Sequence, residues 1–134
     1  MTDWRMTSPE SVDYNCIAWA AGEDDRFWWP DLLGIGYWPP GAVRRETLDA
    51  FVEAYGTLGY AVCADGILEE GFEKVALFTR AGKPTHAARQ LRSGAWTSKL
   101  GRSFDIEHDT PEAVAGVPGC GIYGEVAVFL RRRL

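Results

Sequence analysis

Between residues 60 and 130 the chain is a series of short apolar runs separated by glycine-bearing turn signals, and that rhythm leaves few architectures open. Tyr60-Ala61-Val62-Cys63 ends at Asp65-Gly66, and Lys74–Thr79 ends at the turn Ala81-Gly82-Lys83-Pro84. Thr85–Leu91 is followed by Ser93-Gly94 and by the returning segment Ala95–Gly101, and Gly124–Leu130 is a last apolar run. Runs of this length bounded by turn residues read as strands, and strands joined by tight turns pair antiparallel. Cys63 is expected in the core of that sheet and Gly124–Leu130 in its interior.

The first half has another character. Leu48, Phe51, Val52 and Tyr55 repeat at helical spacing between Arg45 and Thr57, with Glu46, Asp49 and Glu53 on the opposite side. Gly56 and Gly59 are placed to close that helix. A shorter helix is expected to open at Cys16, capped by Ser11 or Asp13 and stopped by Gly22 and the acidic run Glu23-Asp24-Asp25. Thr110-Pro111-Glu112 reads as a cap and the start of another short helix. Helices early and antiparallel strands late define the α+β class.

The 134 residues make one domain, large enough to bury about two thirds of its unfolded surface. Residues 1–10 are expected to be loosely ordered, and Arg131-Arg132-Arg133 to be a solvated chain end. A net charge of −5 argues against a nucleic-acid partner, which calls for a basic face. No run approaches a membrane span, and residues 1–9 lack the apolar core of a secretory signal, so a cytoplasmic protein is expected. Cys16, Cys63 and Cys120 cannot all pair within one chain, and none has metal-ligand spacing, so neither a zinc site nor a cofactor is expected.

Cys16 is the residue with chemistry to offer. The unpaired N–H groups of a helix's first turn stabilise a thiolate, the reactive form of cysteine. A nucleophilic cysteine also needs a base within reach, and the chain holds two histidines, His86 and His108. Five large aromatics, Phe27, Trp28, Trp29, Tyr37 and Trp38, lie in a segment broken by proline and glycine. They either complete the core or line a cleft. Gly34-Ile35-Gly36 has neither the strand before it nor the helix after it that a phosphate loop requires. Arg89 and Lys99 sit on the two facing strands and read as the wet side of the sheet.

A cysteine opening the first helix and a histidine opening a later strand resemble the papain-like cysteine hydrolase superfamily over Asn15–Ala20, Thr85–Leu91 and Trp96–Gly101. With Trp28-Trp29-Pro30, the same segments look like an uncharacterised bacterial domain family, which implies that Cys16 and His86 belong to one unit. The superfamily resemblance implies a papain-like α+β fold with N-terminal helices packed on an antiparallel sheet. It implies Cys16 as nucleophile, His86 as base, and an amide, ester or thioester carbonyl as target, in a peptide, small amide or protein substrate. Glu10 stands where papain has an oxyanion-donating glutamine, which passes that role to Asn15 or to the Cys16 N–H. Leu100 stands where the third triad member belongs, which leaves Asp105 or His108, with Asp105 preferred because a carboxylate both orients and stabilises an imidazolium. Trp28, Trp29 and Trp38 would then wall the cleft. The alternative is a non-catalytic interaction module that uses the tryptophan-rich loop 27–38 as its docking surface.

Overall fold

The computed structural model describes residues 4–8, 15–24, 26–99, 105–116 and 124–134. Seven antiparallel strands form one sheet: β1 (Trp4–Ser8), β2 (Ala61–Cys63), β3 (Phe72–Arg80), β4 (Lys83–Gln90), β5 (Trp96–Lys99), β6 (Asp105–His108) and β7 (Glu125–Arg133). Their spatial order is β1-β6-β5-β4-β3-β7-β2. Helix α1 (Cys16–Ala20) packs on β4 and β5, and α2 (Leu48–Gly56) reaches β2 and β4. Mixed α and β elements around an antiparallel sheet are what the two halves of the sequence call for.

Each helix begins where a side chain satisfies its free N–H groups. Asn15, not Ser11 or Asp13, caps α1, accepting from the Ala18 N–H at 3.1 Å. Ser11 and Asp13 lie outside the described residues. Thr47 does the same for α2 at Ala50. In α2 the buried residues Ala50, Phe51, Ala54 and Tyr55 form one stripe toward the sheet.

The β3–β4 hairpin turns through Ala81 and Gly82, both at positive φ (53° and 80°), as a two-residue turn matched to strand twist requires. Just beyond it the register moves from Thr79 opposite Pro84 to Phe78 opposite His86, so Thr85 is the extra residue of a bulge. From there side chains alternate between two faces. Ala87 joins Val75, Leu77 and Leu130 on the face that carries the helices. Ala88 joins Ala76, Phe78, Trp96 and Ile106 on the other, here called the far face.

Several expectations need correction. Trp4–Ser8 are not loose but pair with β6 as an edge strand. Arg131–Arg133 are not a solvated tail: they extend β7 and pair with Lys74, Glu73 and Phe72. Cys63 is not sheet core, because β2 is the opposite edge strand and the thiol, half-buried, donates to the Asp65 carbonyl.

Candidate functional site

The start of α1 is fastened to the aromatic loop through Asn15. While its Oδ1 caps the helix, the same atom accepts from the Trp28 N–H at 3.1 Å and its Nδ2 donates to the Trp28 carbonyl at 2.6 Å. A buried amide occupied in this way serves as a clamp and is not poised as an oxyanion donor.

Cys16 follows the clamp and is buried against Ala87 of β4. Burial pushes its thiol up to about 11, against the pull of the Ala87 and Ile17 N–H groups and the Lys99 ammonium. The thiol is therefore protonated at neutral pH. Lys99 and Asp105, both fully buried, pair across β5 and β6. Alternation places them on the helix face with Cys16, because their neighbours Ser98 and Ile106 belong to the far face.

His86 belongs to the far face. Its ring meets Phe78 edge-on at 5.1 Å, and its Nε2 lies 2.9 Å from the Ser98 hydroxyl. Ser98 Oγ is in turn 2.8 Å from His108 Nε2, and His108 Nδ1 is 2.6 Å from the Thr110 carbonyl. The direction of this chain follows from what each group can do. A carbonyl only accepts, so His108 Nδ1 carries a hydrogen; burial keeps that ring neutral, so its Nε2 accepts from Ser98. Ser98 then accepts from His86 Nε2–H. Burial, reinforced by His108, pulls His86 down to about 3, so it too is neutral.

The sheet thus brings together His86, Ser98 and His108, and sends Cys16, Lys99 and Asp105 to the opposite face. The orienting role expected of Asp105 is not available to it, since it does not share a face with His86. His108, the alternative to Asp105, is fully buried and reaches His86 through Ser98. Ser98 went unnoticed in the sequence, although counting by twos along Trp96–Lys99 places it beside Ile106 on the side of Phe78.

The tryptophans expected to wall a cleft mostly complete the core. Trp28 and Trp38 are buried, with their indole N–H groups donating to Glu23 and to the Val43 carbonyl. Trp38 and the half-buried Trp29 both meet Phe51 of α2 edge-on, at 4.9 and 5.5 Å. What the loop exposes most is aliphatic: Leu32, Leu33 and Ile35 are 84–90% exposed, and among the loop's aromatics Phe27 is 43% exposed. The loop is nonetheless pinned. Asp31 accepts from the Ile35 and Gly36 N–H groups at 2.8 and 2.7 Å, and Arg44 donates to the Asp31 and Gly36 carbonyls at 2.7 and 2.8 Å. The two N–H bonds, followed by the Arg44 charge, hold the Asp31 carboxyl below its usual range. Gly36 is needed there because a Cβ would lie 2.8 Å from the Trp29 carbonyl. Phe27, Trp29, Leu33 and Ile35 line a shallow apolar groove of about 380 Å³.

The model of one family, described as Domain of unknown function (DUF7689), matches residues 5–131. The chain belongs to that family. No curated protein and no solved structure matches the chain. Within this DUF7689 chain, no group of three His, Cys, Asp or Glu among the described residues is placed to hold a metal ion. No helix among them is long and apolar enough to cross a membrane.

Proposed function

We propose that this DUF7689 domain is a non-catalytic protein-interaction module that docks a partner through the apolar knuckle Leu32, Leu33 and Ile35. One observation carries the reading: three aliphatic side chains almost fully in water on a loop whose backbone is locked by Asp31 and Arg44. Each side chain stabilises a complex by about 1.5–3 kcal/mol when covered. A locked loop also spares the partner much of the ordering cost of binding. The groove is open and shallow, which suits the apolar patch of another protein better than a small molecule. Asp49 and Glu53 stand exposed on α2, whose Phe51 supports Trp29, so the favoured partner carries basic side chains around its apolar patch.

The papain-like hydrolase reading has less support. Acyl transfer from cysteine calls for a thiolate beside an imidazolium. Here a protonated thiol and a neutral imidazole belong to opposite faces of one sheet.

The test is site-specific photocrosslinking from position 33, with position 62 on the exposed edge strand β2 as control, followed by titration of the purified partner. Leu33→Asp is expected to weaken binding at least tenfold, and Val62→Asp to leave it within twofold. Crosslinks spread equally over both positions would overturn the reading. So would rapid alkylation of Cys16 by iodoacetamide at pH 7 in the folded protein, which would restore the hydrolase.

A further inference from the structure

The loop between β2 and β3, residues 64–71, folds back over one end of the far face and is tied down there. Lys74 shares that face with Ala76, and its buried ammonium donates to the Asp65 carbonyl and carboxylate, both at 3.1 Å. The same ammonium pairs with Glu69 at 3.5 Å. Gln90, on the face of Ala88, donates from Nε2 to the Gly66 carbonyl at 2.8 Å. Gly66 approaches the Phe129 ring so closely that a Cβ would lie 2.6 Å from it. Asp65 also accepts from the Ile67 N–H at 3.0 Å.

A loop with this many ties still leaves apolar side chains in water. Ile67 is 71% and Leu68 50% exposed, and Leu134, whose N–H donates to the Gly71 carbonyl at 2.9 Å, is 63% exposed. Leu68, Phe72 and Leu134 line an open groove of about 540 Å³, together with Glu69, Glu70 and Arg92. Val62 is not part of this lining and stands opposite Leu130, which belongs to the helix face.

Charge selects the occupant. Glu69 is neutralised by Lys74 and Arg131, so Arg131, over the Phe72 ring at 4.4 Å, is already committed. Arg133, opposite Phe72 on β7, is exposed and lies over the same ring at 5.3 Å, with no ion-pair partner among the described residues. Arg92, exposed on the turn after β4, likewise has none. Because β7 and β4 lie on opposite sides of β3, these two arginines flank Phe72 from opposite sides. Arginine beside an apolar contact is where interface energy concentrates, and its planar fork fits a carboxylate. Glu70 is the exposed acid that shares the lining.

We infer that this groove is a second docking surface, and that it takes an acidic segment of another protein in which one apolar side chain is flanked on both sides by carboxylates. The apolar side chain fills the groove between Leu68 and Leu134 and meets the Phe72 ring. The carboxylates accept from Arg92 and Arg133. Since the Leu33 knuckle favours a basic rim, the two surfaces select partners of opposite charge.

The probe is the capped pentapeptide Glu-Glu-Phe-Glu-Glu, titrated into the full chain and followed by the amide NMR shifts of residues 66–74, 91–94 and 131–134. Saturable shifts confined to those residues are expected, and the affinity should fall severalfold between 50 and 500 mM NaCl. Lys-Lys-Phe-Lys-Lys should bind this groove at least tenfold more weakly. So should Glu-Glu-Ser-Glu-Glu, which keeps the charge and loses the anchor. Arg92→Gln and Arg133→Gln, both at exposed positions, should each weaken the acidic peptide severalfold, and Glu70→Gln should strengthen it. Absence of localised shifts at 10 mM peptide overturns the inference, as does equal binding of the acidic and basic peptides or of the phenylalanine and serine peptides. Shifts of the same residues that grow with protein concentration alone would assign the groove to a second copy and overturn it as well. Leu33→Asp should leave peptide binding within twofold, so failure here and failure of the knuckle are read separately.

Discussion

Counting by twos from a bulge decides the chemistry of single residues in this protein. Were Thr85 paired in the ladder and not bulged, His86 would stand opposite Leu77 on the helix face; with the bulge, the ring is committed to Ser98 and His108. The commitment has a measurable signature in acid. His86 is held near 3 when folded, whereas an unfolded histidine titrates near 6.5. Between these values the unfolded chain binds more protons, so stability rises with pH across the window and is lost on acidification through it. The expected loss approaches about 1.4 kcal/mol per pH unit well below 6.5. Urea midpoints measured from pH 7 to pH 4.5 check this, and His86→Gln should flatten the dependence while lowering stability at pH 7. A midpoint indifferent to pH in the wild type would mean that the ring is solvated. Such switching is invisible to motif matching, which saw a cysteine, a histidine and an aspartate in a plausible order and had no register with which to sort them onto faces.

At the scale of elements, the short helix α1 owes its place to one amide. Five residues are too few to hold a helix by propensity alone. Asn15 caps α1 and ties it to both backbone groups of Trp28, and the Tyr55 hydroxyl of α2 donates to the Ile17 carbonyl at 2.7 Å. Asn15→Ala removes a cap, worth about 1 kcal/mol, and leaves the buried Trp28 N–H and carbonyl without this partner, at about 1–3 kcal/mol each. Asn15→Asp keeps the acceptor for Ala18 and Trp28 but sets a carboxylate against the Trp28 carbonyl. Both substitutions should therefore lower the melting temperature, and the aspartate's loss should grow as the pH rises through its titration, because only the protonated acid can donate to the Trp28 carbonyl. Calorimetric melts at pH 5 and pH 8 read the difference. Equal melting of wild type and alanine variant would remove Asn15 from the account. The element types were legible here, because periodicity marks α2 and turn residues mark the β3–β4 and β4–β5 hairpins. The cap was misassigned to Ser11 or Asp13 because three residues with good capping side chains stand close together, and only the link to Trp28 separates them.

At the scale of the whole molecule, the α+β layout follows from pattern, whereas the sheet's two edges do not. An edge strand needs only one partner: Trp4–Ser8 lacks an apolar run that would mark it as a strand, and the apolar run Ala61–Cys63 does not by itself tell an edge strand from an interior one. For the same reason Arg131–Arg133 looked like a tail: their cations are accommodated because Glu69 and Glu73 stand opposite them, a pairing between residues some 60 apart in sequence that local reading cannot anticipate. The edge at β1 has a consequence for assembly. β1 covers the outer side of β6 along Asp105–His108, and Arg5 pairs with Glu107 at 2.8 Å. Removing residues 1–8 leaves the β6 backbone unpaired on that side, and an uncovered edge is a template for a second chain. The deletion variant is expected to dimerise or aggregate at concentrations where the full chain stays monodisperse. Arg5→Ala, which removes a solvent-screened ion pair and leaves the β1 backbone in place, should not do so. Light scattering coupled to size exclusion distinguishes the two, and a monomeric deletion variant with an unchanged melt would show that β6 does not need its neighbour.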